Sequence, residues 1–257
     1  MRRDLAAAPR TSMLERAVQV LQAFRPDGRT LTLPELMRRT GLPKATVHRL
    51  ADALVELQLL DRQQTGYRPG LGLLELGELV PAKRDVRTTA LPFMQDLYQT
   101  TKATVHLGIR DGLDVVYVEK LHGHRGVKVP SRVGGRLPLS STGVGKALLA
   151  SADPKVQAEV LDRPLRRLSE HSITDPRELA AQLREIRRSG VAYDREEAVA
   201  GVGCISAPVL VHGEAVAALS LALPAERMDT AALAPAVRAV SLALGRALTR
   251  PSPVAGR

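Results

Sequence analysis

Between Ser12 and Phe24, the apolar residues Leu14, Ala17, Val18, Leu21 and Phe24 recur at helical spacing, which predicts an amphipathic helix. Arg25-Pro26-Asp27-Gly28 then breaks it. A second helix opens at Thr32-Leu33-Pro34-Glu35, where the threonine hydroxyl can accept from a free amide while Glu35 reaches back, and proline is tolerated in the first turn. It stops at Thr40-Gly41, and a third helix follows almost at once, from about Pro43 to Leu57. Two helices joined by a tight glycine-containing turn are the mark of a helix-turn-helix. In the third helix Val47, Leu50, Ala51, Leu54 and Val55 gather on about a third of the wheel and form the buried stripe. Ala45, His48, Arg49, Asp52 and Glu56 lie opposite.

Along that helix Lys44, Thr46, His48 and Arg49 occupy the first two turns, and the acidic Asp52 and Glu56 follow. A helix inserted N-terminus first into a major groove wants this order, with donors and cations near bases and phosphates and carboxylates held away. An ordinary solvated helix is the plainer reading, and the capped helix and turn before it weigh against that. Leu59 to Tyr67 reads as a short two-stranded wing with a glycine turn, flanked by Arg62 and Arg68, which can touch phosphates. Residues 71–80 predict a leucine-rich linker helix ending at Pro81, and residues 84–101 another amphipathic helix.

The rhythm then changes. Residues 104–109 and 115–118 around Arg110-Asp111-Gly112 predict a β-hairpin, and Val127-Lys128-Val129 a third short strand. Helices near 143–151, 154–162 and 176–189 follow, then a second hairpin, 204–211 and 214–223, around His212-Gly213, and a last helix over 229–249. Helical layers beside mostly antiparallel strands make an α+β chain. The expected organisation is a disordered tail at 1–11, a winged helix-turn-helix at 12–70, a linker helix at 71–82, a second domain at 83–250 and a disordered tail at 251–257.

Composition sharpens the picture at a few points. The chain has 257 residues, a formal charge of +10 and 44% hydrophobic residues, so it can bury real cores. Twelve Lys or Arg and seven Asp or Glu fall within residues 1–70, so half of the net charge sits in little over a quarter of the chain. That bias suits a polyanionic partner at the front. With no Trp, two Phe and four Tyr, a base-stacking single-strand binder is disfavoured. No apolar run reads as long enough to cross a bilayer, no signal peptide is recognisable, and the lone Cys204 fits a reducing cytoplasm.

Three stretches carry a family resemblance: Leu33-Pro34-Glu35-Leu36 through Thr40 to Leu50; Gly134-Gly135-Arg136-Leu137-Pro138-Leu139 with Thr142 to Ala150; and Gly190 to Asp194 with Glu197 and Gly201 to Val209. In order and spacing the chain resembles the IclR family of bacterial transcriptional regulators over about residues 11–250. The resemblance implies a DNA-binding winged helix and an effector domain with a curved antiparallel sheet flanked by helices, similar in layout to GAF and PAS sensors. It also implies homodimers or tetramers on roughly palindromic double-stranded operators, and small organic acids or aromatic compounds as effectors. Matched position by position, it places Gly143, Val144, Asp194, Cys204 and Ser220 in the effector pocket, with Ala222 where the family has a second serine and a Cys204–Ser220 interval one residue short. The DNA-reading set is Lys44, Ala45, Thr46, His48 and Arg49, with Arg62 and Arg68 on the wing.

The remaining chemistry is weighed residue by residue. Ser140 to Lys146 looks like a phosphate loop but has Ser140 and Ala147 where that loop needs glycine and a hydroxyl, so it fails. The glycines still open a helix, whose free amides and dipole would hold a carboxylate on Gly143, Val144 and Gly145, unless they serve close packing alone. Cys204 reads as an inert buried thiol or a pocket liner, since no histidine is placed as its base. Asp194 caps a turn or binds ligand, and the acidic run Asp194, Glu196 and Glu197 reads as a solvated turn. His122 and His124 lack a third metal ligand, and neither a cofactor nor a catalytic residue is expected. The competing readings are a C-terminal domain that only oligomerises and an enzyme with a docking helix-turn-helix.

Overall fold

The computed structural model describes residues 12–25, 28–124, 129 and 131–249, and for residues 81–85 the backbone alone. The expected tails at 1–11 and 251–257, and Val127 and Lys128 of the expected short strand, lie outside these residues. The chain divides into two compact units at the Pro81/Ala82 boundary.

In the first unit, local chemistry sets the helix ends. Ser12 and Glu15 form a capping box on α1 (Met13–Gln22), and Thr32 and Glu35 form another on α2 (Leu33–Thr40). Each such cap satisfies two otherwise orphaned amides, and losing a cap costs about 1 kcal/mol. Gly41, at φ 69°, takes the left-handed turn that ends α2 and allows α3 (Lys44–Glu56) to start three residues later. Val20, Phe24, Leu36, Val47, Leu50, Ala51 and Leu54 close one small core between the three helices. The wing is β1 (Leu60–Gln63) paired antiparallel with β2 (Gly66–Pro69), and Leu31 exchanges backbone hydrogen bonds with Tyr67 at its edge. The expected linker helix is shorter than predicted: α4 covers Gly72–Glu78, and the next helix already begins at Pro81.

The second unit is one six-stranded antiparallel sheet with a helical layer on each face. It comprises α5 (Pro81–Thr101), β3 (Thr104–Asp111), β4 (Asp114–Leu121), β5 (Arg136–Pro138), α6 (Gly143–Ala150), α7 (Pro154–Leu161), α8 (Pro176–Ser189), β6 (Ala192–Arg195), β7 (Val202–Val211), β8 (Glu214–Pro224) and α9 (Thr230–Thr249). The strand order is β5-β4-β3-β8-β7-β6. Period-two alternation sends Val105, Leu107, Ile205, Ala207, Leu219 and Leu221 to one face, where Ala90, Met94 and Leu97 of α5 and Val237 and Leu244 of α9 cover them. The intervening residues turn to the other face, which α6 covers, with α8 behind it. The short strands β5 and β6 were not anticipated. By length and hydropathy α9 would suffice to cross a bilayer, which corrects the expectation that no segment would; its inner side, at Val237, Ser241, Leu244 and Gly245, is buried in the domain.

Candidate nucleic-acid interface and ligand site

On α3 the buried stripe leaves Lys44, Ala45, His48 and Arg49 exposed and Thr46 half-buried. No side chain caps the start of α3, so its leading amides and the positive end of its dipole stay open beside these donors. Lys44 and Arg49 form no ion pair among the described residues. Asp52 behaves differently from the sequence expectation. Rather than standing apart, it accepts from the Tyr67 hydroxyl at 3.3 Å, meets His48 Nδ1 at 2.9 Å and pairs with Arg62, tying the wing to the helix. The Arg62 guanidinium also lies 5.1 Å from the centre of the Tyr67 ring, and its hydrogen bond to Asp52 raises its pKa. Arg68 pairs with Asp61 at 3.0 Å. Both wing arginines therefore already hold a carboxylate, and of the expected set Lys44 and Arg49 are the cations with open donors.

On the α6 face of the sheet, register collects polar residues that lie far apart in sequence. One row runs Asp194–Cys204–Ala222–Thr104, and the next Ala192–Ser206–Ser220–His106–Lys120. Ser220 thus stands opposite Ser206, and Ala222 is the β8 neighbour of Cys204. His106 hydrogen-bonds Ser131 Oγ through Nε2 at 2.7 Å and Ser220 Oγ through Nδ1 at 3.4 Å. Burial, with Lys120 and His122 nearby, lowers the His106 pKa to about 3, so its ring is neutral. Lys120 Nζ donates to the Ser131 carbonyl at 2.7 Å, and burial lowers its pKa.

The start of α6 lies hard against this face. A Cβ at Gly143 would stand 2.6 Å from Ser206 Oγ and 3.4 Å from Cys204 Cβ, so only glycine lets the helix approach this closely. The expected three-amide cradle needs correction at Gly145. Its amide donates to Thr142 Oγ1 at 3.0 Å and a Cβ there would stand 2.4 Å from the Leu139 carbonyl oxygen, so it serves the cap and close packing and leaves Gly143 and Val144 as the candidates. The Val144 side chain belongs to the core.

Asp194 and Glu197 do not form a solvated turn; they are 1% and 3% exposed. Asp194 Oδ1 accepts from the Glu197 amide at 2.7 Å and the Ala198 amide at 3.4 Å, the turn-capping role weighed for it. Burial, then the Glu197 carboxylate, raise the Asp194 pKa to about 7 against the pull of those amides and of Lys146. Lys146, fully buried, places Nζ 2.5 Å from Glu197 Oε1 and 2.8 Å from Gln182 Oε1. Burial and Asp194 push the Cys204 thiol well above its ordinary value, which keeps it protonated and removes the thiolate that a nucleophile needs. Ser206 Oγ and Glu197 Oε2 are buried without a hydrogen-bond partner among the described residues. Sequence reasoning missed Lys146, Glu197, Ser206 and His106 here. The alternation of β3 and β7 carried a usable signal for His106 and Ser206. Among the described residues no three His, Cys, Asp or Glu are grouped to hold a metal.

Comparison with known proteins follows the same two-part division. The IclR helix-turn-helix domain matches residues 13–64, and the bacterial transcriptional regulator IclR C-terminal domain matches residues 79–246. The Escherichia coli K12 transcriptional regulator XynR is 33% identical over 251 residues, covering 95% of this chain and all of that protein. The Escherichia coli repressor AllR is 31% identical, covering 84% of this chain and 81% of its own. Among solved structures, an IclR homologue from Microbacterium hydrocarbonoxydans in complex with 4-hydroxybenzoate superposes with a TM-score of 0.84 at 33% identity, over 92% of this chain and 99% of that one. The Thermotoga maritima IclR superposes at 0.77 with 27% identity, over 92% and 98%.

Proposed function

This chain belongs to the IclR family, as a bacterial DNA-binding transcriptional regulator with a C-terminal effector-binding domain, and from that premise we propose which residues read DNA and which hold the effector. The leading end of α3 enters the major groove, with Arg49 on base edges and Lys44 on phosphate. Arg62 and Arg68 take part only by exchanging their carboxylate partners for phosphate, so they add less than the free cations. The effector is a small carboxylic acid, aromatic or short aliphatic, held at the start of α6 beside the polar rows of the sheet. Its carboxylate meets the Gly143 and Val144 amides, and its body lies along Cys204, Ser206, Ser220 and Asp194. A relative 33% identical holds 4-hydroxybenzoate, which supports that ligand class.

The observation that carries this reading is the juxtaposition of a helix start, kept side-chain-free at Gly143, with the buried Ser206 hydroxyl, which has no partner among the described residues. The protein works as a homodimer, or a tetramer of paired dimers, because two recognition helices about 34–36 Å apart match successive major-groove turns on a palindromic operator. Exposed Met13 and Leu14 on α1, and Leu71, Leu74 and Leu79 on and around α4, offer apolar surface for that pairing. Effector binding favours one arrangement of the DNA-binding units over another, with α4 carrying the difference. The chain acts in the cytoplasm as a repressor or an activator of transcription, and Cys204, held as a thiol, serves as a pocket wall rather than as a nucleophile.

A gel-shift series on operator DNA tests the assignment. Arg49→Ala should weaken specific binding by about 1–3 kcal/mol while leaving affinity for 4-hydroxybenzoate unchanged. Unchanged operator binding would reject this placement of α3.

A further inference from the structure

At the end of the sheet where β8 runs out and β3 begins lies a cavity of about 530 Å³, within the range of about 300–1,000 Å³ typical of ligand pockets. Ala103, Leu223 and Leu233 give it apolar walls, and Lys102, His124 and Arg227 stand on its lining. Asp229 also lines it, but its Oδ1 caps α9, accepting from the Ala231 and Ala232 amides at 3.1 Å each. The charges here are two cations against one carboxylate whose oxygen is already engaged by a helix start. Arg227 makes no ion pair among the described residues, so its planar fork of donors remains open to a carboxylate.

The lining is held in place. Lys102 sits at φ 55°, a conformation rarely adopted outside glycine, with Nζ 2.8 Å from Gln99 Oε1 and 5.5 Å from the Tyr98 ring centre. His124 Nδ1 is 2.9 Å from the Tyr98 hydroxyl. The Gly123 amide donates to Thr104 Oγ1 at 3.1 Å, and a Cβ on that glycine would stand 2.8 Å from the backbone of Lys102 and Ala103. A cavity with apolar walls and two cations on its lining is suited to an anion that carries an apolar body.

We propose that this cavity is a second ligand site, taking a small carboxylate through Arg227 and Lys102, separate from the effector site proposed at the start of α6. The inference does not rest on that site. The two adjoin through the sheet, since Thr104 and Ala222, which line this cavity, continue the strand row of Cys204 and Asp194. Any coupling between the two would be reciprocal, each occupant changing the affinity for the other by the same factor.

Calorimetric titration of the full-length protein with benzoate tests it, using wild type, Arg227→Glu, Lys102→Glu and Gly143→Val. The wild type should bind two benzoates per chain. Each charge reversal should weaken one binding event at least tenfold and leave the other, and Gly143→Val, whose side chain meets Ser206, should do the opposite. Arg227 and Lys102 are exposed, so their variants should unfold at the wild-type temperature. Titrations identical in wild type and both charge reversals overturn the second site, whatever Gly143→Val does. A change with Arg227→Glu and none with Gly143→Val keeps this cavity and fails the effector site proposed at the start of α6.

Discussion

On α3, Lys44 and Arg49 stand in solvent with no ion pair among the described residues, whereas Lys146 on α6 is wholly buried with Nζ between Glu197 and Gln182. A surface cation costs little and keeps its donors for a polyanion. A buried one is tolerated only when its charge is matched and its protons are accepted. The DNA-binding unit therefore holds charge in reserve for a partner, and the effector unit has charge already committed to its own architecture. Removing one member of the committed pair should do the most damage. Lys146→Met would strand Glu197, whose Oε2 already lacks a partner, and should cost about 3–5 kcal/mol in urea unfolding. Adding Glu197→Gln should recover a large part of that; a double variant as unstable as the single one would show that the pair's charge is not the issue.

Asp194 lies between the two extremes, a buried carboxyl held by amides rather than by a cation of its own. Its folded pKa of about 7 lies above the ordinary carboxylate value, so the folded protein binds the proton more tightly than the unfolded chain. That contribution is complete at pH below about 4 and is lost as pH rises to about 7. Asp194→Asn cannot lose a proton and should gain stability relative to wild type across that window, by on the order of 1–3 kcal/mol, with no further change above it. A difference that is flat from pH 4 to 8 would contradict the raised pKa. A carboxylate effector beside Asp194 would hold the proton more firmly still, so its affinity should fall above pH 7 in wild type and not in the variant.

The same contrast explains what could be read from sequence. The capping boxes of Ser12 and Thr32 and the Gly41 turn depend on residues within a few positions, and α1 to α3 were legible for that reason. The hairpins β3–β4 and β7–β8 were equally plain because alternation and a turn suffice. The strands β5 and β6, of three and four residues, exist through distant pairing and carry too few positions to show a period. Lys146 looked like the lysine of a failed phosphate loop, and its partner Glu197 lies 51 residues on, past α7 and α8. Asp52 read as a charge held away from DNA because its contacts, Arg62 and Tyr67, lie on a wing whose path the helical wheel does not contain.

Smaller effects belong to the exposed unit. Lys44→Ala should reduce the slope of log binding constant against log salt by about 0.9 without changing which sequence is preferred, since a phosphate contact carries no base information. Operator and random duplex measured over a range of salt check both parts.

Asp52→Asn should have the least effect on stability and is the most informative about the comparison. The Asp52 side chain is one-third exposed (33%), and its contacts to His48 and Arg62 are surface pairs, which are worth about 0–1 kcal/mol. Asparagine can still accept from Tyr67 and Arg62, so unfolding should shift by less than about 1 kcal/mol. The net charge beside the start of α3 rises by one, and Arg62, left with a neutral acceptor in place of an ion pair, turns to phosphate more readily. Random-sequence duplex should therefore bind severalfold tighter, with a steeper salt dependence. Binding to operator should tighten less, because His48 and Arg62 lose the carboxylate that fixes their direction. The ratio of specific to non-specific affinity then narrows. If that ratio is unchanged, Asp52 only neutralises the surface; if it falls, the aspartate is what turns two loosely tethered cations into oriented ones.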